Sequence, residues 1–411
     1  MVTVNDGKTG VRETSRKTCH NRTADTLGAD TKVWHMRTNG ISNINHQLSI
    51  VDNRLSVINC QLSVIMQRYV FIAALFAVSF SALSTAHAQS PYISRVWEYC
   101  PAPGQFVNEL PEYEDGDDAD SMCRKAGEYI CGTTRSDITL GGWGGYVVVG
   151  FDHMIVNVAG EYDFRIWGNA FYADVNHPEN GGSSEPGIIS VSYDANGNGQ
   201  PDDKWYEIAG SEYSRSTRNY EITYFRTPAD HVKTPKMSED LVDTTYIKWR
   251  DKNGTTGYLA KNRYHSQDYY PQWVTADKVT YSGTLLPDNA VPYKETGQTR
   301  YIMSNYAYGY ADNHPNDNDG SKIKIDWAVD KKGNAVNLPG IHFVKIQTGV
   351  NQQCGWIGEL STEVSGGEDL HPDVTTDIET VESRKSKVEC YKILKDGHIY
   401  IIINNQIKYV L

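Results

Sequence analysis

The densest run of metal-ligating side chains is Asp194-Ala195-Asn196-Gly197-Asn198-Gly199-Gln200-Pro201-Asp202-Asp203. Oxygen-bearing side chains stand at positions one, three, five and nine, with glycine at six. That spacing wraps a short loop around a hard cation, and glycine allows the sharp turn. Calcium is the cation it suits. Asp194, Asn196 and Asn198 would ligate through side chains, Gln200 through its carbonyl, and Asp202 or Asp203 directly or through water. Position twelve, where a helix-loop-helix calcium site carries a bidentate Glu, holds Trp205. The flanks read as strands, so the expected site is strand-loop-strand, with its last ligand from Asp203, Glu207 or elsewhere. Its role would be structural, because the ion consumes every ligand. The competing reading is an Asn/Gly-rich hairpin turn with no metal.

Other chemistry is sparse. A second acidic loop, Asp312 to Gly320, could take a cation but reads more simply as a solvated turn. Glu185, Glu359 and Glu363 are in principle carboxylates for glycoside hydrolysis, yet each reads more simply as a surface or turn residue. There is no Gly-x-Ser-x-Gly elbow, no His-Glu-x-x-His and no phosphate loop. Trp143, Trp167, Tyr172, Trp273 and Trp356 lie near Gly- and Asn-rich loops and are the expected ligand-stacking residues, with core packing as the plainer alternative.

These residues need a frame, and the composition points to strands. The 411-residue chain carries 27 Tyr and 35 Gly; Tyr, Trp, Val, Ile and Thr favour half-buried strands, Gly, Asn and Asp the turns between them. The expected fold is all-β, a β-sandwich or jelly roll over residues 89–371, with one short helix near its start. That helix spans residues 117–129, capped by Asp117 or Asp118, with Met122, Ala126 and Tyr129 on one face. Strands are expected at 144–151, 162–167, 187–193, 205–208, 220–224, 322–327 and 341–347, and residues 91–116 read as an extended lead-in. Residues 372–388 read as a linker. Residues 389–411 read as a small hairpin unit, strand-turn-strand about Asp396-Gly397, after which Asn404-Asn405-Gln406 turns into Ile407 to Val410.

The N-terminal region speaks to destination. Met66-Gln67-Arg68, the apolar run from Tyr69 to Leu83 and Ala86-His87-Ala88 have the order of a secretory signal peptide over 66–88, too short in its apolar part for a comfortable membrane span. Residues 1–65, with Leu-Ser-Ile/Val recurring every seven residues, read as a mis-assigned or disordered extension. Residues 1–88 hold nine of the 39 Lys/Arg and five of the 51 Asp/Glu, which leaves 30 and 46, a balance of −16 for the mature chain. Such a surface disfavours nucleic acid and anionic lipid. Five cysteines remain in it (Cys100, Cys123, Cys131, Cys354, Cys390), and an oxidising compartment would permit one disulfide among the first three.

Several segments resemble a family of Bacteroidota cell surface proteins: Val96-Trp97-Glu98-Tyr99-Cys100-Pro101-Ala102-Pro103-Gly104-Gln105-Phe106, Leu140-Gly141-Gly142-Trp143-Gly144-Gly145, Gly150-Phe151-Asp152-His153, Ser184-Glu185-Pro186-Gly187, Tyr269-Tyr270-Pro271-Gln272-Trp273 and Leu338-Pro339-Gly340-Ile341-His342-Phe343-Val344-Lys345. The likeness runs in order over roughly residues 91–370. It implies a β-sandwich surface protein, in a family often linked to PKD-like modules and to outer-membrane uptake loci, including those for corrinoids. The last 22 residues are similar to a type IX sorting signal. Together these readings lead to an exported, noncatalytic protein at the outer membrane surface, in the periplasm or outside the cell. It would capture a corrinoid (cobalamin uptake), another small molecule or a glycan, with outer-membrane transporter components as partners and no transmembrane span in the mature chain. A structural or adhesive surface protein is the alternative, and a glycan-active hydrolase or lyase a third.

Overall fold

The computed structural model describes residues 89–295, 298–374, 390–395, 398–403 and 406–410. The signal-peptide-like segment, the extension before it, most of the linker and the Asp396-Gly397 turn lie outside the described residues. The architecture is all-β, with antiparallel pairing throughout and one α-helix among the described residues.

The largest sheet has the strand order Arg95–Cys100, Tyr146–Val156, Gly340–Thr348, Gly187–Ser192, Trp205–Ile208 and Ala328–Val329, with Tyr310–Ala311 also pairing to Gly187–Ser192. Its inner face forms the main core: Val147, Val149 and Ile155 from one strand, Ile189 and Val191 from another, Ile341, Val344 and Ile346 from the central one. Alternation along each strand sends these residues to one side. The helix Ala119–Ile130 is capped by Asp118, whose side chain accepts the Ser121 N–H, and it packs Met122, Ala126 and Ile130 into the same core. A four-stranded sheet, ordered Thr256–Asn262, Leu241–Asp251, Thr217–Phe225 and Lys278–Leu285, covers part of the outer face. Gln347 crosses between the layers, donating to the carbonyls of Gly144 (2.7 Å) and Ser282 (3.2 Å). Trp143 fills a second core there with Tyr220, Tyr224 and Tyr269, and Tyr224 Oη donates to its carbonyl.

Two irregularities shape the outer face. The pairing of Arg95–Cys100 with Tyr146–Val156 slips between Val96 and Glu98. The pairing of the central strand slips between Ile341 and Phe343. Each slip is a bulge, which sets an extra residue outside the ladder and re-aims side chains. Val96 and Tyr99 therefore both point into the core with two residues between them, as do Ile341 and Val344. Trp97, His342 and Phe343 are left for the other side.

Several expectations need correction. The 91–116 lead-in contains an edge strand, Arg95–Cys100. The expected strand 322–327 is a strand only at Lys322–Ile323; Ile325–Trp327 turns into a 3₁₀ segment because Asp163 Oδ2 takes the Ile325 N–H at 2.7 Å. Cys100, Cys123 and Cys131 are all free thiols. Cys123 lies within the helix and Cys131 caps its end; eight residues of helical rise set such positions about 12 Å apart, past the roughly 7 Å limit for a disulfide. The C-terminal unit needs no such correction: Cys390–Lys395, His398–Ile403 and Gln406–Val410 form a three-stranded meander, the hairpin continuing through a second turn into a third strand as expected.

Trp143, 1% exposed, is a core residue. Truncating it leaves a large cavity, so Trp143→Ala is expected to lower unfolding free energy by about 3–5 kcal/mol in urea denaturation.

Candidate functional site

The loop after Gly187–Ser192 returns the chain to Trp205–Ile208, so the strand-loop-strand frame is as expected. Gly197 (φ +70°) and Gly199 (φ +69°) take left-handed conformations that side chains resist. Their turns wrap backbone amides around Asp194: Oδ1 accepts from Gly197 (2.7 Å) and Asn198 (3.1 Å), Oδ2 from Gly199 (2.8 Å). Asp203 Oδ2 accepts from Ala195 and Asn196. The Asn196 and Asn198 amide nitrogens donate to the two oxygens of Asp202, while their own oxygens accept the Asn198 and Gln200 N–H groups. The six expected ligands thus share one loop, closed by its own hydrogen bonds. To hold calcium, the two amide groups would have to turn their oxygens inward.

The loop forms one wall of a cleft of about 470 Å³ on the outer face of the large sheet. Trp97, Phe151, Tyr193 and Phe343 supply apolar surface; Asp152, His153, Asp194 and His342 supply polar groups. Trp97 and Phe343 meet edge to face, ring centroids 5.8 Å apart, and Arg95 lies 3.7 Å over the Trp97 ring. Gly150 sits beneath this pair; a Cβ there would stand 2.7 Å from Trp97 Nε1. His342 Nδ1 accepts the Asp194 N–H (3.2 Å), tying the central strand to the loop. His153 is clamped between Asp152 Oδ1 (2.7 Å) and Asp369 Oδ2 (2.8 Å). Burial works against its charged form, but the hydrogen bonds to Asp369 and Asp152 outweigh it and raise its pKa. With both ring nitrogens engaged, His153 holds charge in place and is poorly suited to act as a general base.

The five expected stacking residues are not brought together. Trp143 is core. Trp167 is buried beneath Arg135, 3.3 Å over its ring. Tyr172 Oη is hydrogen-bonded to His314. Trp273 stacks near Tyr99 and Tyr113, and Trp356, 38% exposed, meets Tyr264. Among the cleft's own aromatics, Phe151, Tyr193 and Phe343 lie on expected strands and Trp97 in the lead-in, and none of them is among the expected stacking residues. Their meeting depends on strand order and on the two bulges.

A separate cluster unites Glu185, Glu363 and Asp312, whose carboxylate oxygens lie within 4.8 Å of one another, the one such group of three acidic, His or Cys side chains among the described residues. Asp312 and Glu363 are buried; Glu185 keeps a partial opening to solvent. None of the three is the simple surface or turn carboxylate expected. Asp312 Oδ1 accepts from the Asn169 and Ala170 amides and Oδ2 from Glu363 N–H. Glu185 Oε1 accepts from Ser361 N–H (3.2 Å), and Thr139 Oγ1 donates to Glu363 Oε1 (3.2 Å). Burial, then the charge of Asp312, pushes Glu185 up to about 8. Burial, partly offset by the amides, pushes Asp312 up to about 7. Glu363 rises furthest, through burial and then its two neighbours. Glu359, also buried and pushed up to about 7 by burial, lies apart, its Oε1 on the Gln105 amide (2.6 Å) and its Oε2 without a partner. Carboxylates this close and this buried could share protons or, with the protons displaced, hold a divalent cation. None of five surface clefts of about 150–530 Å³ has a triad residue in its lining.

No protein-family model and no curated protein matches the chain.

The triad makes stability depend on pH. The folded state keeps protons that the unfolded chain releases, so its contribution is full below the ordinary values of 4.5 (Glu) and 3.8 (Asp) and is lost as pH rises towards about 7 and 8. Urea denaturation is expected to show stability falling between pH 5 and pH 8 by on the order of 1 kcal/mol per pH unit. Glu363→Gln, a permanently neutral isostere, should flatten that slope.

Proposed function

We propose that this chain is an exported, noncatalytic binding protein that captures a glycan in the cleft beside the Asp194–Asp203 loop, with calcium holding the loop in shape. The observation that carries the reading is that Asp194 belongs to both features: it heads the loop and lines the aromatic-walled cleft. Sugar rings stack their apolar faces on aromatic side chains, and their hydroxyls bond to carboxylates and imidazoles. Asp152 and His342 stand beside Trp97, Tyr193 and Phe343 in that combination, with Asp194, whose side chain holds the loop, at their edge. A cleft of about 470 Å³ lies within the usual range of small-molecule sites, and its size favours one or two sugar rings over a corrin macrocycle. The signal-peptide-like segment 66–88, the acidic surface and the resemblance to Bacteroidota surface proteins support export. Service to an outer-membrane transporter follows from that resemblance alone.

The test is a thermal melt of the purified chain with calcium or with a chelator, each repeated with glucose, mannose, maltose or cyanocobalamin. Calcium is expected to raise the melting temperature, and Asp194→Ala to abolish that rise, since a ligand that binds only the folded state stabilises it. At least one sugar is expected to raise it further, and Trp97→Ala to remove that increment. A shift from cyanocobalamin with none from any sugar would replace the glycan by a corrinoid. No shift from any addition would leave the loop a plain turn and the binding reading without support.

A further inference from the structure

A second cleft, of about 500 Å³, opens between the large sheet and the four-stranded sheet and shares no lining residue with the first. Its walls include Tyr99, Trp273, Val279 and Tyr281, and Lys345 is its one basic residue. Lys345 extends from the central strand Gly340–Thr348 on the side opposite Val344 and Ile346. Its ammonium lies 3.7 Å from the centre of the Tyr146 ring. Among the described residues it has no carboxylate within ion-pair distance and no hydrogen-bond acceptor. The nearby Glu98 is engaged by Tyr146 Oη, which donates to it at 2.9 Å.

An ammonium partly withdrawn from water without an ion-pair partner is costly, and a cation–π contact replaces only part of its hydration. Burial accordingly lowers the Lys345 pKa, with Glu98 opposing the shift. The polar lining otherwise consists mainly of uncharged groups, such as Ser282, Thr280 and Gln347. One cation facing a space walled by flat apolar rings calls for a monoanion with an apolar body. A phosphate dianion would bring excess charge and no surface for the rings. We propose that this cleft is a second binding site, for a small organic carboxylate whose carboxyl group pairs with Lys345 and whose aromatic or aliphatic part packs against Trp273 and Tyr281. The net negative surface would not draw such a ligand from a distance, so apolar contact must supply much of the affinity and the ion pair the selectivity.

The experiment is calorimetric titration of the full chain with phenylacetate, indole-3-acetate and hexanoate, with phenylacetamide as a neutral control. At least one carboxylate is expected to bind saturably. Phenylacetamide is expected to bind at least ten-fold more weakly than phenylacetate if phenylacetate is the binder. Lys345→Met, which keeps the stem and removes the charge, is expected to weaken carboxylate binding at least ten-fold, and Lys345→Arg to retain most of it. Because the variant removes a half-buried charge with no ion-pair partner among the described residues, Lys345→Met should melt no lower than the parent. If it fails to fold, binding by indole-3-acetate against its amide on the parent chain decides the matter. The proposal is overturned if none of the three carboxylates binds, if an amide binds as well as its acid, or if folded Lys345→Met binds as tightly as the parent.

Discussion

The central strand Gly340–Thr348 is hydrogen-bonded on both sides, to Tyr146–Val156 and to Gly187–Ser192, and that double ladder is the constraint on which the rest depends. It fixes which side chains face the core and which face out. Ile341, Val344 and Ile346 anchor the hydrophobic interior; His342 and Phe343 form the floor of one cleft, and Lys345 and Gln347 border the other. A one-residue slip anywhere along it would exchange these sets. The slip that does occur, at the bulge between Ile341 and Phe343, lets two consecutive residues serve the same cleft while the strand on either side remains in core register.

The second organising feature is the handling of buried charge. An acidic chain would be expected to keep its carboxylates in water, yet Asp312, Glu359 and Glu363 are buried. Backbone amides meet both oxygens of Asp312 and one of Glu359, the Thr139 hydroxyl and the Asn169 side-chain amide meet those of Glu363, and raised pKa values in the triad favour retained protons. The triad joins the segment before Gly187–Ser192, the end of Tyr310–Ala311 and the strand Glu363–Val364. It therefore ties together parts of the chain 51 to 178 residues apart, and it makes their association sensitive to pH. His153 is the complementary case, a buried imidazole hydrogen-bonded to Asp152 and Asp369, which raise its pKa, at the rim of the first cleft.

Much of this was legible in the residues. The Asp118 cap and the Met122 and Ala126 stripe gave the helix, because a 3.6-residue period and a capping side chain are local features. Trp205–Ile208 was placed to the residue, and Gly187–Ser192 to within one, because tight turns bound them. Other readings failed for physical reasons. The strands Leu241–Asp251 and Thr256–Asn262 were missed because Asp, Thr, Lys and Asn interrupt their apolar pattern, and pairing with neighbours overrides weak local preference. The five Trp and Tyr residues expected on one face were scattered among cores and edges, since residue type says nothing about which partners a fold supplies.

The sequence by itself determined an all-β chain, one capped helix, and a ten-residue loop able to wrap its own carboxylates, because propensity, capping and turn chemistry act over a few residues. Only the tertiary structure decided that Trp97, His153 and Phe343 share a cleft with Asp194, that Lys345 lines another without an ion-pair partner among the described residues, and that Glu185, Asp312 and Glu363 meet. Those outcomes depend on strand order, bulge position and the exclusion of water, which arise from contacts between residues far apart along the chain and leave no spacing in it to read.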